Sequence, residues 1–423
     1  MSKFENAEQI AGARPELPST SLSITFVEFV GLTAALMALT ALSIDIMLPA
    51  LPEIGSALGV DSENDRQLIV ILYMAGFAAG QLVYGPLSDR LGRRPVLLAG
   101  LAIFVVGSIA ALVSNSFYAL LGARIIQGLG AASPRVLALA VVRDLYSGRH
   151  MARVMSFAMM VFIVIPVFAP SIGQGLLQLG DWHLTFYALL AIGIALALWA
   201  GLRLPETSRA ALGTERPWSL GQSLKAVFNP LTIGYGAAAG FMFGCLLSYV
   251  ASAQQIFVDL YDLGASFPIM FGAVASTMAV ASYVNGRLVE RLGMRLVSHT
   301  ALVGFLAVAL LLGVAVSLDM ASLPVFSLLV ASSFFLFGLI APNFNALAME
   351  TQGHNAGMAS SIIGCLSTAI GALAGGIIGH AFDGTALPLA AGFAVCSLIA
   401  CMIVFAIEGP AGRLFGRTPS PHA

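Results

Sequence analysis

Charge is the scarcest commodity in this chain. Asp, Glu, Lys and Arg make up 10% of its 423 residues, against 58% hydrophobic ones, whereas a soluble domain carries about 25% charged residues. That much apolar surface does not fit into one core and needs lipid as its solvent. Cysteine is scarce too: Cys245, Cys365, Cys396 and Cys401 all fall in apolar stretches. They show neither metal-ligand spacing nor a redox motif, so they read as packing residues. The six histidines form no HExxH and no i,i+4 pair, GxSxG is missing, and no GxxxxGK[ST] loop occurs. These absences remove the signatures of a zinc hydrolase, a serine hydrolase and an ATP-driven machine. No enzyme, cofactor or metal is expected. The net charge is −1 and no basic patch alternates with aromatics, so no nucleic-acid partner is expected. A basic stretch leading directly into an apolar core is missing at the start, so residues 1–24 read as a short polar tail rather than a cleaved signal peptide.

What the chain does have is long apolar runs. A membrane-spanning helix needs about 20 mainly apolar residues. Twelve runs qualify, at about 25–50, 66–87, 95–113, 117–142, 152–177, 183–203, 231–253, 267–287, 296–317, 322–348, 356–381 and 385–408. The count excludes a seven-span receptor. The second, eighth and eleventh runs are rich in Gly and Ala, which lets helices approach closely. With both termini in the cytoplasm, 17 of the 20 Lys and Arg residues fall in cytoplasmic segments, Arg66 alone falls outside, and Arg124 and Arg135 lie within the membrane. That distribution obeys the positive-inside rule.

The polar segment 204–228 divides the chain into a six-span unit at 25–203 and another at 229–408, with a second cytoplasmic tail at 409–423. The units are related. "GPLSDRLGRRP" follows the second span and "GRLVERLGMRL" the eighth. Gly85 and Gly286, Asp89 and Glu290, Arg90 and Arg291, Gly92 and Gly293, and Arg94 and Arg295 are each 201 residues apart. Paired repeats of this kind point to a secondary transporter with its site near the midplane between them. In the first loop, Gly85 and Pro86 are expected to end span two, Leu91-Gly92 to make a tight turn, and Asp89 to cap a helix end or pair with an arginine.

Span four carries "ARIIQGLGAA". An arginine inside a bilayer is costly, by roughly 2.5 kcal/mol or more, so Arg124 is expected to face a cavity or a partner. Arg135, eleven residues on, shares its helical face; snorkelling toward the surface is the plainer account of it. Span five carries "IPVFAPSIGQG", where Pro166 and Pro170 remove helix hydrogen bonds and Gly173 allows close packing, so that the segment can bend or pivot.

These motifs together resemble the major facilitator superfamily. Gly85, Asp89, Arg90, Gly92, Arg93 and Arg94 match its loop signature between spans two and three, and Arg124, Gln127, Gly128 and Gly130 a second signature. Pro166, Pro170 and Gly173 match the one associated with antiporters, with Ala169 and Gln174 standing where Gly is more usual. Within that superfamily the chain is similar to the Bcr/CflA-type drug:proton antiporters, through "LSIDIMLPALPEI", "GQLVYGPLSDRLGRRPVLLAG", "RIIQGLGAA" and "VVRDLYSGR". The similarity is sharpest over 40–205. One departure is "DWHLTFY", where His183 follows the Trp in place of the subgroup's Arg. The resemblance implies an all-α membrane protein, twelve helices in two pseudo-symmetric six-helix bundles, working as a monomer in a bacterial inner membrane. It implies export of small amphipathic compounds against proton entry, and a charge network joining Asp89 to an arginine at the base of span four, here Arg143, and to the end of span eleven. A symporter or a narrow metabolite exporter of the same fold is the alternative.

Asp45 lies in the outer half of span one, a turn before Pro49. Two readings compete: a helix-end carboxylate at the interface, or a cavity carboxylate that binds and releases a proton, since an acid inside the membrane is functional by default. The resemblance favours the second, with Arg124 aiding coupling or meeting substrate. Glu28, the other acid of span one, sits at its cytoplasmic start and is expected to face headgroups. By the same analogy spans one, four, seven and ten line the cavity. Candidate lining residues are Met37, Tyr73, Tyr249, Gln254, Gln255, Phe334, Phe335, Asn343 and Asn345; flexible Met and aromatics suit loosely specified apolar ligands. Ordinary helix packing is the competing account for each of them.

Overall fold

The structure is a computed structural model that describes residues 24–60, 62–146, 148–207, 228–352, 356–409 and 414, with the backbone alone for 63, 148–153, 155–163, 265 and 356–357. The tails and most of the 204–228 linker therefore lie outside the described residues.

Twelve long helices follow one another: α1 (Phe26–Asp45), α2 (Leu68–Leu91), α3 (Arg93–Leu112), α4 (Phe117–Leu145), α5 (Gly148–Leu179), α6 (His183–Arg203), α7 (Pro230–Gln254), α8 (Phe267–Leu292), α9 (Met294–Ser317), α10 (Leu323–Met349), α11 (Ala356–His380) and α12 (Leu387–Glu408). Eleven are long and apolar enough to cross a membrane; α5 is 32 residues long, and its side-chain-described stretch Val164–Leu179 is apolar as well. No strand occurs among the described residues. Local signals start several helices. Thr25, Ser116 and Asn229 accept from backbone N–H groups of the first turns of α1, α4 and α7, supplying partners that a helix start lacks. Pro230 and Pro268 sit in first turns, where no N–H is needed. Large apolar side chains such as Tyr118, Leu202, Leu328 and Ile377 stay exposed, as a lipid-facing surface requires.

Packing reveals the repeat. In the first half α1 packs on α4, α5 and α6, α2 on α3 and α4, and α3 on α4 and α6; in the second, α7 packs on α10, α11 and α12, α8 on α9 and α10, and α9 on α10 and α12. A shift of six helices maps one set onto the other. The halves meet chiefly where α2 runs along α11 and α5 along α8. The loop repeat is equally visible in the backbone: Gly92 and Gly293 have φ of +103° and +84° with ψ of 152° and 156°, a region that only glycine enters without strain.

Two boundaries differ from expectation. Span one does not run intact to residue 50: α1 stops at Asp45, the chain turns at Ile46 and Met47, and Leu48–Ala50 and Leu51–Ala57 form a short 3-10 turn and a short helix. Pro49 and Pro52 explain the break, because neither supplies a backbone N–H and each disfavours helix in the residue before it. Conversely, Gly85 and Pro86 do not end span two. The helix carries Pro86 inside it and continues to Leu91, stopping at Gly92.

Candidate functional site

Asp45 ends α1 and is buried at 4% exposure. Among the described residues its carboxylate has no ion-pair or hydrogen-bond partner. The nearby cation is spent elsewhere. Arg124, on α4 and fully buried, donates from Nε to the Ile69 carbonyl of α2 (3.1 Å), from Nη2 to the Ser43 carbonyl of α1 (3.0 Å), and from Nη1 to Gln127 Oε1. Gln127 in turn donates to Ser108 Oγ of α3 at 2.8 Å. The guanidinium lies 4.3 Å over the Tyr73 ring, a cation–π contact worth about 2 kcal/mol when desolvated. Arg124 thus ties three helices together, and it does so on carbonyls rather than on the carboxylate. Close approach makes this possible: a Cβ on Gly128 would collide with the Tyr73 carbonyl. A Cβ on Gly173 of α5 would collide with the Ile46 carbonyl, directly after Asp45. The Pro166, Pro170 and Gly173 stretch therefore leans on the break that follows the acid. On its other side, Gly272 of α8 meets Val167, so the same stretch also touches the second half.

At the face bearing the α1–α2 and α7–α8 loops, the halves are hydrogen-bonded to each other. Asn64 donates to the carbonyls of His380 (2.9 Å) and Phe382 (2.7 Å). Gln255 donates to Asn64 Oδ1 at 3.0 Å and accepts from Gln67 at 2.5 Å, and Asp65 stands 3.6 Å from His380. Deeper along the seam Gln81 of α2 donates to Thr368 of α11 (2.9 Å).

At the opposite face, Gly85 closes on Ser361 of α11. Asp89 pairs with Arg93 (2.5 Å), which also reaches Asp144 at the end of α4 (3.0 Å). Glu206 accepts from the backbone N–H groups of Arg93 and Arg94 (2.8 and 3.1 Å), and Arg94 donates to the Gly201 carbonyl. The network expected through Arg143 runs here through Arg93 to Asp144, while Arg90 and Arg143 are exposed. Glu28, at the start of α1, is gripped by Arg203 of α6 with two bonds of 2.7 Å.

The second half repeats this device in buried form, and the sequence reading missed it. Arg295 starts α9 and pairs with Glu408 at the end of α12 (2.8 Å) and Glu350 at the end of α10 (2.5 Å). Tyr235 of α7 donates to Glu408 and meets His299 Nε2, both at 2.9 Å. Only the arginine carried a signal, because Arg295 lies 201 residues after Arg94, whereas Glu350 and Glu408 lie outside that register.

The candidate lining residues are dispersed. Met37 and Tyr73 are fully buried in the first half. Tyr249 and Phe334 meet edge to face within an aromatic cluster of the second (4.8 Å), joined by Phe257 and by Phe271, which stacks on Tyr249, while Phe335, one residue on, is half-buried. Gln254 is buried and Gln255 belongs to the seam between the halves. Asn343 donates to Asn285 of α8 at 2.7 Å. Asn345 is exposed and bonds its own helix, as expected for residues two apart, roughly 200° around a helix. His183 lies on Trp182 with ring centroids 3.7 Å apart.

Comparison with known proteins agrees with this architecture. The sequence profile of the Major Facilitator Superfamily matches residues 33–376. An uncharacterized MFS-type transporter, YdgK, of Bacillus subtilis is 32% identical over 89% of this chain and 94% of its own length. A bicyclomycin resistance protein homolog of Haemophilus influenzae is 31% identical over 90% and 96%. The xylose transporter XylE from E. coli, solved in a partially occluded inward-open conformation, shares the fold with a TM-score of 0.68 at 11% identity, over 89% of this chain and 96% of that one.

Proposed function

Because this chain belongs to the Major Facilitator Superfamily, and is a transporter rather than an enzyme, we propose that it exports small amphipathic compounds, drugs among them, in exchange for protons. It works as a monomer in the bacterial inner membrane with both termini in the cytoplasm. The orientation rests on the basic residues, which concentrate at the α2–α3 loop face. The export direction is supported by the Haemophilus influenzae relative, named for bicyclomycin resistance.

The observation that carries the proton reading is Asp45. Burying a carboxylate without a partner is costly, and Arg124, the buried arginine of α4, donates to the Ile69 and Ser43 carbonyls and to Gln127 instead of to it. A group in that setting changes charge readily when its surroundings change. It also sits at the break in α1 against Gly173 of α5, a helix that contacts the other half, so its charge state is coupled to how the halves meet. Protons from outside neutralise Asp45, cytoplasmic substrate favours their release, and each ligand shifts the balance of conformations by its differential affinity. With the outer seam hydrogen-bonded through Asn64, Gln67 and Gln255, this conformation is the one closed to the outside.

The test is drug-driven proton movement in proteoliposomes, wild type against Asp45→Asn, over a panel of amphipathic drugs. The expected result is proton release coupled to drug in the wild type and its loss in the variant, with drug binding retained. Wild-type exchange in Asp45→Asn would remove the carboxylate from the mechanism. Co-directional movement of drug and proton would make the protein a symporter.

A further inference from the structure

One buried cluster in the second half has more hydrogen-bond contacts than a neutral histidine can fill. His299, in the second turn of α9 and 3% exposed, presents Nδ1 to the Leu414 carbonyl and Nε2 to the Tyr235 hydroxyl at 2.9 Å. The same hydroxyl reaches Glu408 Oε1, also at 2.9 Å. A carbonyl oxygen only accepts, so Nδ1 carries the hydrogen of its contact, and a neutral imidazole then has a bare lone pair at Nε2. Tyr235 has one proton for two acceptors, Nε2 and Glu408. Whichever it serves, the other contact sets lone pair against lone pair. Phe344 of α10 flanks both rings, with centroids 5.3 Å from Tyr235 and 6.3 Å from His299.

An imidazolium resolves the count. Nδ1–H donates to Leu414, Nε2–H to the Tyr235 oxygen, and the Tyr235 O–H to Glu408, so every contact has its own proton. The charges balance as well. Among the described residues, the charged groups around the Tyr235–His299 pair are Arg295 of α9, Glu350 of α10 and Glu408 of α12. With a neutral imidazole two carboxylates face one cation; with an imidazolium they face two. A buried charge is tolerated when it is paired and hydrogen-bonded in this way.

We propose that His299 is a proton-binding site, and that its protonation clamps the chain beyond α12, at Leu414, onto α7 and α9. The proton comes from solvent and adds to the Nε2 lone pair; one N–H bond forms and no bond within the protein breaks. Without that proton one contact is lost, and the ring is free to leave Tyr235 or the Leu414 carbonyl. The clamp is therefore complete at low pH and is lost as pH rises through the titration of the ring. Histidine is the side chain whose ordinary charge change falls in the physiological range. In the proposed orientation this face is cytoplasmic, so the clamp reads the pH on the side from which substrate is taken. Only that last step rests on the proposed function; the proton site is independent of Asp45.

The test is a pH series on the purified full-length protein in detergent, from about pH 5 to about pH 9, which brackets histidine titration. NMR of nitrogen-labelled imidazoles reads the ring, with His299→Gln as the blank. A spin label at Thr418→Cys reads the tail, after subtraction of the signal from the unsubstituted protein. The His299 signal is expected to pass from imidazolium to neutral as pH rises, and the label to become mobile at the same midpoint. Tyr235→Phe removes the oxygen that accepts from Nε2, and Glu408→Gln removes one negative charge, so each is expected to lower that midpoint by about one pH unit. In His299→Gln the mobility of the tail is expected not to change with pH. A ring that stays neutral throughout would overturn the proton site. An imidazolium throughout, or a pH-dependent tail in His299→Gln, would overturn the clamp as a switch. Should His299→Gln fail to fold, the other two variants decide: an unshifted midpoint in both overturns the site.

Discussion

At Gly173 a hydrogen atom stands where any side chain would strike the Ile46 carbonyl. The contact is with backbone, which cannot rotate away as a side chain can. Gly173→Ala must therefore push α5 off the break in α1, and overpacking of this kind costs about 1–3 kcal/mol. The expected outcome is a lower thermal midpoint in detergent and a larger loss of transport than of stability, because the displaced contact adjoins Asp45. Both are read on one preparation, by unfolding and by drug efflux. Arg124 makes the complementary point. Its burial was foreseeable from cost alone, but its partners were not: a lone arginine near a lone aspartate suggests an ion pair, and the folded chain instead directs the guanidinium at carbonyls of α1 and α2.

Among helices, a recurring device ties the helix ends of each half at the face bearing the α2–α3 and α8–α9 loops. In the first, Arg93 and Arg94 at the start of α3 engage Asp144 and Glu206, and Glu28 is gripped by Arg203. In the second, Arg295 engages Glu350 and Glu408, and its pair with Glu408 is buried on both sides. The burial difference sets the expected effects. Breaking a buried ion pair by removing one partner costs about 3–5 kcal/mol, so Glu408→Ala is expected to destabilise the second half by that order, seen as lowered yield and thermal midpoint. Asp89 is itself half exposed and its partner Arg93 keeps a second pair with Asp144, so Asp89→Ala is expected to change stability by about 1 kcal/mol or less. The same loops mark the limit of reading helix ends from Pro: Pro86 is carried inside α2, whereas Pro49 and Pro52 coincide with a break.

For the whole molecule, the question is which end of the seam between halves is sealed. Asn64, Gln67 and Gln255 join the halves at the face bearing the α1–α2 and α7–α8 loops with uncharged hydrogen bonds, which are individually weak, of about 1 kcal/mol, and so can exchange for water when the halves rock apart. Cysteines at Asn64 and Phe382 place thiols across this seam. An oxidised Asn64→Cys, Phe382→Cys protein is expected to stop transporting while still binding drug from the cytoplasmic side, and reductant is expected to restore transport. Transport at the wild-type rate in the cross-linked protein would show that the seam does not open.

Twelve helices and their repeat could be read from the sequence, because lipid imposes a simple demand on composition. Individual chemistry was legible where one residue type is forced, as with Gly92, whose positive φ the loop motif anticipates, or with an acid as isolated as Asp45. Pairing was not. That Asn343 reaches Asn285 while Asn345 turns away, that Gln255 belongs to a seam rather than a pocket, and that Arg93 rather than Arg143 meets Asp89 all depend on helices brought together from distant parts of the chain. Periodicity fixes the direction of a side chain only relative to its own helix. How each helix is turned toward its neighbours is settled by close packing, and only the folded structure contains that information.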